Sequence, residues 1–142
     1  MENTFTADVS VVINADASKV WDALTNPALV KQYLFGTNVK SDWKVGSPIT
    51  YTGVWEGKEY EDKGIIKAIE PGKYLSTTYW SSFSGTPDAP ENYQDVSYTL
   101  EAEGNGTKLT VHQGNIQSAE KRDHSAQNWR MVLDAMKKLL EQ

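Results

Sequence analysis

The last stretch of the chain, Ser118 to Gln142, holds neither glycine nor proline. Its apolar residues Trp129, Val132, Leu133, Met136, Leu139 and Leu140 fall on one helical stripe, with charges over the remaining surface. That pattern predicts one long helix over Ser118–Leu140, and it constrains the rest of the chain more than any other feature. A stripe of that length must be buried. Most of the chain between Val39 and Gln113 alternates apolar and polar residues with period two, so the partner is a sheet.

The alternating segments are short and divided by turns. "VKSDW", "ITYTGVW", "YEDKGIIKAIE", "YLSTTYW", "DVSYTLEA" and "TKLTVHQG" are each expected as strands. "VGSP", Glu56-Gly57-Lys58, Pro71-Gly72 and Gly104-Asn105-Gly106 turn the chain between them, and "SSFSGTPDAPEN" makes the longest loop. A further strand, "FTADVSVVINA", opens the chain. Two short helices follow it. Asp16 is placed to cap the first, which carries Val20, Trp21 and Leu24. Pro27, directly after Asn26, opens the second, with Leu29, Val30, Tyr33 and Leu34 on one face. Consecutive strands with short connections form an antiparallel meander. The expected class is therefore α+β, with a seven-stranded curved antiparallel sheet wrapped around a long C-terminal helix and two short helices after strand 1. A curved sheet around one helix leaves room for a hollow between the two.

Composition narrows the function classes. A chain of 142 residues with 39% hydrophobic and 23% charged residues is the size and make-up of one globular domain, residues 1–142. The net charge of −5 and the lack of a basic stripe argue against a nucleic-acid partner. Without cysteine there is no disulfide framework, thiolate metal site or cysteine nucleophile. No leader pattern and no membrane-length apolar run is present, so a cytoplasmic setting without membrane insertion is expected.

The stretch "VVINADASKVWDALTNPALVKQYL" resembles the opening of the START-like, or SRPBCC, superfamily with its helix-grip fold. Within it the chain is similar to the heat-shock-protein ATPase activator-like (AHSA-type) family. The likeness continues through "VGSPITY", through Gly64-Ile65-Ile66 before Glu70-Pro71 and Leu75, and through "GTKLTVHQ" to Trp129. It covers nearly the whole chain. Gln113 departs from the pattern by standing where related chains often carry histidine. The resemblance implies binding of a small hydrophobic molecule, with a cyclase- or dehydratase-like enzyme and a co-chaperone-like interaction module as alternatives. It also implies a chaperone contact or a homodimer as further partners.

The aromatic residues are the candidate ligand-binding set. Trp21, Tyr33, Trp43, Tyr51, Trp55, Tyr79, Tyr98 and Trp129 fall on faces expected to point inward. They make either a solid core or a core with a usable cavity. Several tyrosine hydroxyls on one concave face favour the cavity, because a buried hydroxyl without a partner costs about 1–3 kcal/mol. The corner at Asn26-Pro27 would bring Trp21 and Tyr33 to one end of that cavity from two directions. Asp62 shares the parity of Tyr60 and Ile66, which would aim it inward. A bulge near Lys63-Gly64 would send it outward instead, and that is the expectation carried forward. His112 falls on the outer face with Thr110, and His124 lies near the start of the last helix. Two separate histidines without cysteine make a poor metal site. No catalytic motif, metal site or cofactor site is assigned. The hairpin at 56–58, the loop Ser82–Asn92 and the link 114–118 are expected at one end of the sheet. There the loop would act as a lid, with Phe83 or Tyr93 as its apolar contact.

Overall fold

The computed structural model describes residues 5–34, 36–81 and 87–141. The chain runs β1 (Phe5–Ile13), α1 (Ala17–Thr25), α2 (Pro27–Tyr33), β2 (Asn38–Ser41), β3 (Pro48–Trp55), β4 (Lys58–Glu70) and β5 (Tyr74–Ser81). A single 3-10 turn at Pro90–Asn92 follows. The chain then continues through β6 (Gln94–Glu103), β7 (Gly106–Ile116) and α3 (Ala119–Leu140). The strands form one antiparallel sheet in the order β1-β7-β6-β5-β4-β3-β2. This is the expected meander, with the first strand closing on the last. No helix among the described residues is long and apolar enough to cross a membrane.

Local chemistry sets the helix boundaries. The Asp16 carboxylate accepts from the Lys19 N–H at 2.9 Å and starts α1. Asn26 serves both short helices: its N–H donates to Asp22 and ends α1, while its side-chain oxygen accepts from Ala28 N at 3.0 Å and starts α2. Pro27 follows at the first helical position, where its missing donor costs nothing. Ser118 caps α3 by accepting from Lys121 N at 3.1 Å. The helix therefore begins one residue after the expected Ser118.

The register shows which residues share the concave face. Across the sheet, Val39 pairs with Tyr51, Tyr51 with Asp62, Ile66 with Thr77, Thr77 with Val96, and Val96 with Gln113. Side chains alternate faces along a strand, so these residues stand on one side. Ile49, Ile66, Leu75, Leu109 and Val111 are fully buried on that side, against Leu133 and Met136 of α3 and Val20 and Val30 of the short helices. Each such side chain contributes about 1.5–3 kcal/mol on leaving water. The far end of α3 is pinned by polar contacts. Lys137 Nζ donates to the Val12 carbonyl at 2.8 Å, and Glu141 accepts from Asn14 N at 2.7 Å.

β4 departs from expectation in one respect. Its pairing with β5 shifts between Ile66 and Ala68 and is in register at Asp62–Ser81 and Lys63–Trp80. The irregularity lies downstream of Gly64, so it does not turn Asp62 outward. Gly64 answers a different demand: a Cβ there would stand 1.8 Å from the Thr78 carbonyl oxygen. Only glycine lets the two strands approach that closely.

Candidate functional site

The sequence-derived aromatic set divides. Tyr51, Tyr79 and Tyr98 stand on the concave faces of β3, β5 and β6, and Trp129 faces them from α3. Trp129 meets Tyr98 edge to face, with ring centroids 5.9 Å apart. Tyr33, at the end of α2, is buried and lies near Tyr51 and Tyr98. Trp21 is half-buried at the core margin on α1, which packs against β6, β7 and α3. Trp21 thus packs at the margin of the core and Tyr33 within it.

Trp43 is a correction. It was expected inside a strand, but β2 ends at Ser41. Trp43 lies in the following turn with φ +56°, an uncommon conformation for a bulky residue. Side-chain hydrogen bonds compete with the ladder here. Ser41 Oγ accepts from Trp43 N at 3.0 Å, and Ser47 Oγ both accepts from Lys44 N and donates to Lys44 O. The ring still packs, half-buried, against the margin of the core. Trp55 ends β3, and its side chain lies outside the described residues.

The structure adds polar groups that the aromatic reading missed. Asp62 faces inward and accepts from the Tyr79 hydroxyl at 2.8 Å through Oδ2. Ser81 lies against the same carboxyl and favours its charged form. The other oxygen, Oδ1, is buried without a hydrogen bond of good geometry. Burial outweighs both hydroxyls and raises the Asp62 pKa above the ordinary carboxylate value. Further along the same row, Trp129 Nε1 donates to Gln113 Oε1 at 2.8 Å, and Gln113 Nε2 donates to Gln94 Oε1. Gln94 in turn pairs with Tyr79 in the register. A polar line thus crosses the concave face from β3 to β7 at the end nearest the loops. The parity of Asp62 with Ile66 was legible in the sequence, and so was the inward parity of Gln113 with Val111.

The tyrosines are strongly perturbed. Burial pushes the Tyr33, Tyr51 and Tyr79 phenols well above their usual value, and that of Tyr98 up to about 12. The Tyr51 and Tyr98 hydroxyls lie against each other, and each perturbs the other. All four stay protonated at neutral pH and act as neutral donors and acceptors. Tyr51 and Tyr98 lie deep in the protein, yet each retains accessible surface, as do Tyr79 and Trp129.

Other candidates separate from this face. His112 is on the outer face, where Nδ1 pairs with Asp8 at 2.6 Å, and His124 is exposed on α3. Arg122 lies over the Phe5 ring at 5.3 Å, and Arg130 is exposed. No cluster of three metal-ligating side chains occurs among the described residues. An open depression of about 560 Å³ lies at β2–β4. Its lining includes Val54, Glu59 and Glu61, which alternate with the inward residues, so it belongs to the convex side and not to the tyrosine face.

The expected role of Tyr93 as the apolar contact of a lid also needs correction. Tyr93 stacks on Trp80 at 6.4 Å, and its hydroxyl donates to Asp88 at 2.6 Å. Lys63 pairs with Asp88 at 2.6 Å and lies over the Trp80 ring. Lys63 and Trp80 are cross-strand partners on the convex face. Residues 87–93 are thus strapped to the outside of the sheet, and Tyr93 does not reach the inner face. Phe83 lies outside the described residues. The loop and the end of β7 do meet: Asn115 Nδ2 donates to the Tyr93 carbonyl at 2.8 Å.

Comparison with known proteins places the chain. The family described as "Activator of Hsp90 ATPase homolog 1-like protein" matches residues 14–141. A solution structure from Cytophaga hutchinsonii is 45% identical, with 99% of this chain and 97% of that one covered at a TM-score of 0.85. The Aha1 dimer of Colwellia psychrerythraea is 20% identical, with 96% of each chain covered and a TM-score of 0.77. CalU16 of Micromonospora echinospora is also 20% identical, with 98% and 87% covered and a TM-score of 0.72. The last two show likeness of fold alone. No curated protein matches the chain.

Proposed function

The chain belongs to the activator of Hsp90 ATPase homolog 1-like family, and we propose that it binds a small hydrophobic or aromatic molecule between the concave face of the sheet and α3. One observation carries this reading. Tyr51, Tyr79 and Tyr98 lie deep in the molecule and still keep accessible surface, and Trp129, half-buried, packs against Tyr98. Accessible surface at depth faces a hollow, and a hollow walled by aromatic rings with a few polar atoms is the usual make-up of a small-molecule site. The binding set under this reading is Tyr33, Tyr51, Tyr79, Tyr98 and Trp129, with Trp21 at one margin.

Native mass spectrometry of freshly purified protein tests the reading. A co-purified mass that is lost on denaturation is the expected result. Protein that carries no such mass, and shows no Tyr51, Tyr98 or Trp129 resonance shifts across a panel of apolar compounds, would overturn it.

One observation favours a second reading. Asp62 is a carboxylate with a raised pKa beside a phenol on the same face, which is a general acid–base pair in kind. An enzyme of the cyclase or dehydratase type would use Asp62, because the phenols are too weakly acidic to serve as bases near neutrality.

A further inference from the structure

The β3–β4 hairpin reaches past the strand that covers its edge. β2 is the edge strand and pairs with β3 only from Ile49 to Thr52. β3 runs on to Trp55, which pairs with Lys58 of β4. Among the described residues, Gly53, Val54 and Trp55 thus have a strand on one side only. Glu56 and Gly57 both have positive φ, +50° and +80°, which makes the two-residue turn on which Trp55 and Lys58 close as a hydrogen-bonded pair. Backbone groups alternate sides along a strand, so the Val54 N–H and carbonyl point away from β4, to the open edge. The Val54 side chain is 65% exposed. It stands in the open depression of about 560 Å³, whose lining also holds Asn38, Thr52, Glu59 and Glu61. The inner side of this edge is closed. The Tyr60 ring lies across Gly53, where a Cβ would come within 2.5 Å of the Tyr60 hydroxyl, and that hydroxyl meets Thr37 Oγ1. The usual protections of an edge are missing here: β3 has no proline beyond Pro48, and its pairing with β4 has no bulge.

We propose that this edge takes up an extended basic segment of another protein, as an added strand beside Gly53, Val54 and Trp55. The Val54 backbone supplies the ladder bonds. The incoming residue opposite Val54 places its side chain on the same face, over the depression. A lysine or arginine there lays its apolar stem on Val54, and its cationic head reaches Glu59, which pairs with Val54 from β4. Glu61 lines the same depression, and Glu56 is exposed at the turn. Lys58 is the only cation between Gly53 and Glu61, and by alternation it stands on the opposite face from Glu59. A second copy of this chain is the poorer occupant. It would bring a second set of the same acidic side chains onto one face, in a chain of net charge −5. Pairing Val54 with Val54 would also set the incoming Glu56 where Asn38 already pairs with Thr52. The edge is separate from the tyrosine face, so the inference is independent of the small-molecule reading.

The test uses three end-blocked peptides of about seven residues: one alternating valine and arginine, its counterpart with glutamate for arginine, and the fully N-methylated arginine form, which cannot join a ladder. Binding is read by ¹H–¹⁵N titration of the full chain. The arginine peptide should shift the Gly53 and Val54 amides and slow exchange at Val54, with a preference of about tenfold or more over the glutamate peptide. The N-methylated form should not bind. Val54→Pro removes a donor that the sheet does not use, so the fold should stand while the affinity falls about fivefold. Glu59→Gln should reduce the preference for arginine and leave the Val54 shift in place. Equal binding of the arginine and glutamate peptides, shifts that avoid Gly53 and Val54, or an N-methylated peptide that binds as well as the plain one overturns the proposal. The peptide comparisons decide it even where Val54→Pro fails to fold. Broadening of the Val54 amide that grows with protein concentration, with no peptide present, would assign the edge to a second copy and overturn it as well.

Discussion

Asp62 and Gly64 sit on the same face of β4 and depend on opposite properties of a side chain. Asp62 brings a charge into a place that disfavours it. Its pKa is raised in the folded protein, chiefly by burial. The folded state then binds its proton more tightly than the unfolded chain. That contribution to stability is fully present below the unfolded value near 3.8 and is lost as pH rises through the higher folded value. Asp62→Asn removes the ionisation and keeps an acceptor for Tyr79. It should raise the melting temperature at pH 7, and the gain should shrink as pH falls toward 3.8. Thermal unfolding followed by circular dichroism across that range checks the sign. Gly64 fails for lack of space instead. A methyl group 1.8 Å from the Thr78 carbonyl forces the strands apart, so Gly64→Ala should cost about 1–3 kcal/mol or more. Gly114 is a buried control, since a Cβ there would meet His112 no closer than 3.6 Å. Gly114→Ala should therefore cost distinctly less in urea unfolding. At this scale the sequence carried the parity of Asp62 but not its consequence. Period-two alternation cannot locate a bulge to within two residues, and the bulge at Ile66–Ala68 leaves Asp62 inward, where one at Lys63-Gly64 would have turned it out.

Elements were legible where periodicity is long. The stripe on the last helix marks the buried residues Leu133, Met136 and Leu140, and Asn26-Pro27 reads as a corner because its residues have fixed roles in capping. Trp43 was misplaced because two serine hydroxyls outcompete the ladder beyond Ser41, and alternation does not register side-chain hydrogen bonds to the backbone. Tyr93 was misplaced for a related reason. A loop pattern gives mobility and polarity, but not which face of the sheet a stacking partner such as Trp80 occupies. The helix offers a direct test. Leu133 is 1% exposed and Met131, two positions away, is 53% exposed. Leu133→Ala should cost about 2–5 kcal/mol, and Met131→Ala should fall within about 0.5 kcal/mol of the unaltered protein. Equal effects in urea unfolding would mean that the stripe does not face the sheet. The strap at Lys63, Asp88 and Tyr93 is an exposed ion pair with a stacked ring, so Asp88→Asn should leave urea unfolding almost unchanged. The structure accordingly assigns residues 87–93 a fixed side of the sheet at small energetic stake.

On the scale of the whole molecule, the tyrosine face draws on separated parts of the chain. Tyr33 comes from α2, Tyr51 from β3, Asp62 from β4, Tyr79 from β5, Tyr98 from β6 and Trp129 from α3. The order of elements was enough to predict the sheet and the grip, since a meander and one amphipathic helix have few ways to pack. It was not enough to predict the row from Asp62 to Trp129. That row depends on the register of four strand pairings, and a shift of one residue in any of them would scatter it. A molecule bound there touches elements far apart in the sequence, and unfolding any of them must release it. Binding should therefore stabilise the domain as a unit and not one segment. With a bound apolar molecule a hundredfold above its dissociation constant, the gain is about 2.7 kcal/mol, which is a rise in melting temperature of roughly 5–10 °C for a domain of this size. Amide exchange should slow together in β3, β6 and α3. A rise confined to the amides of one element, or no rise in melting temperature at saturation, would mean that the molecule sits on the surface and not between the sheet and α3.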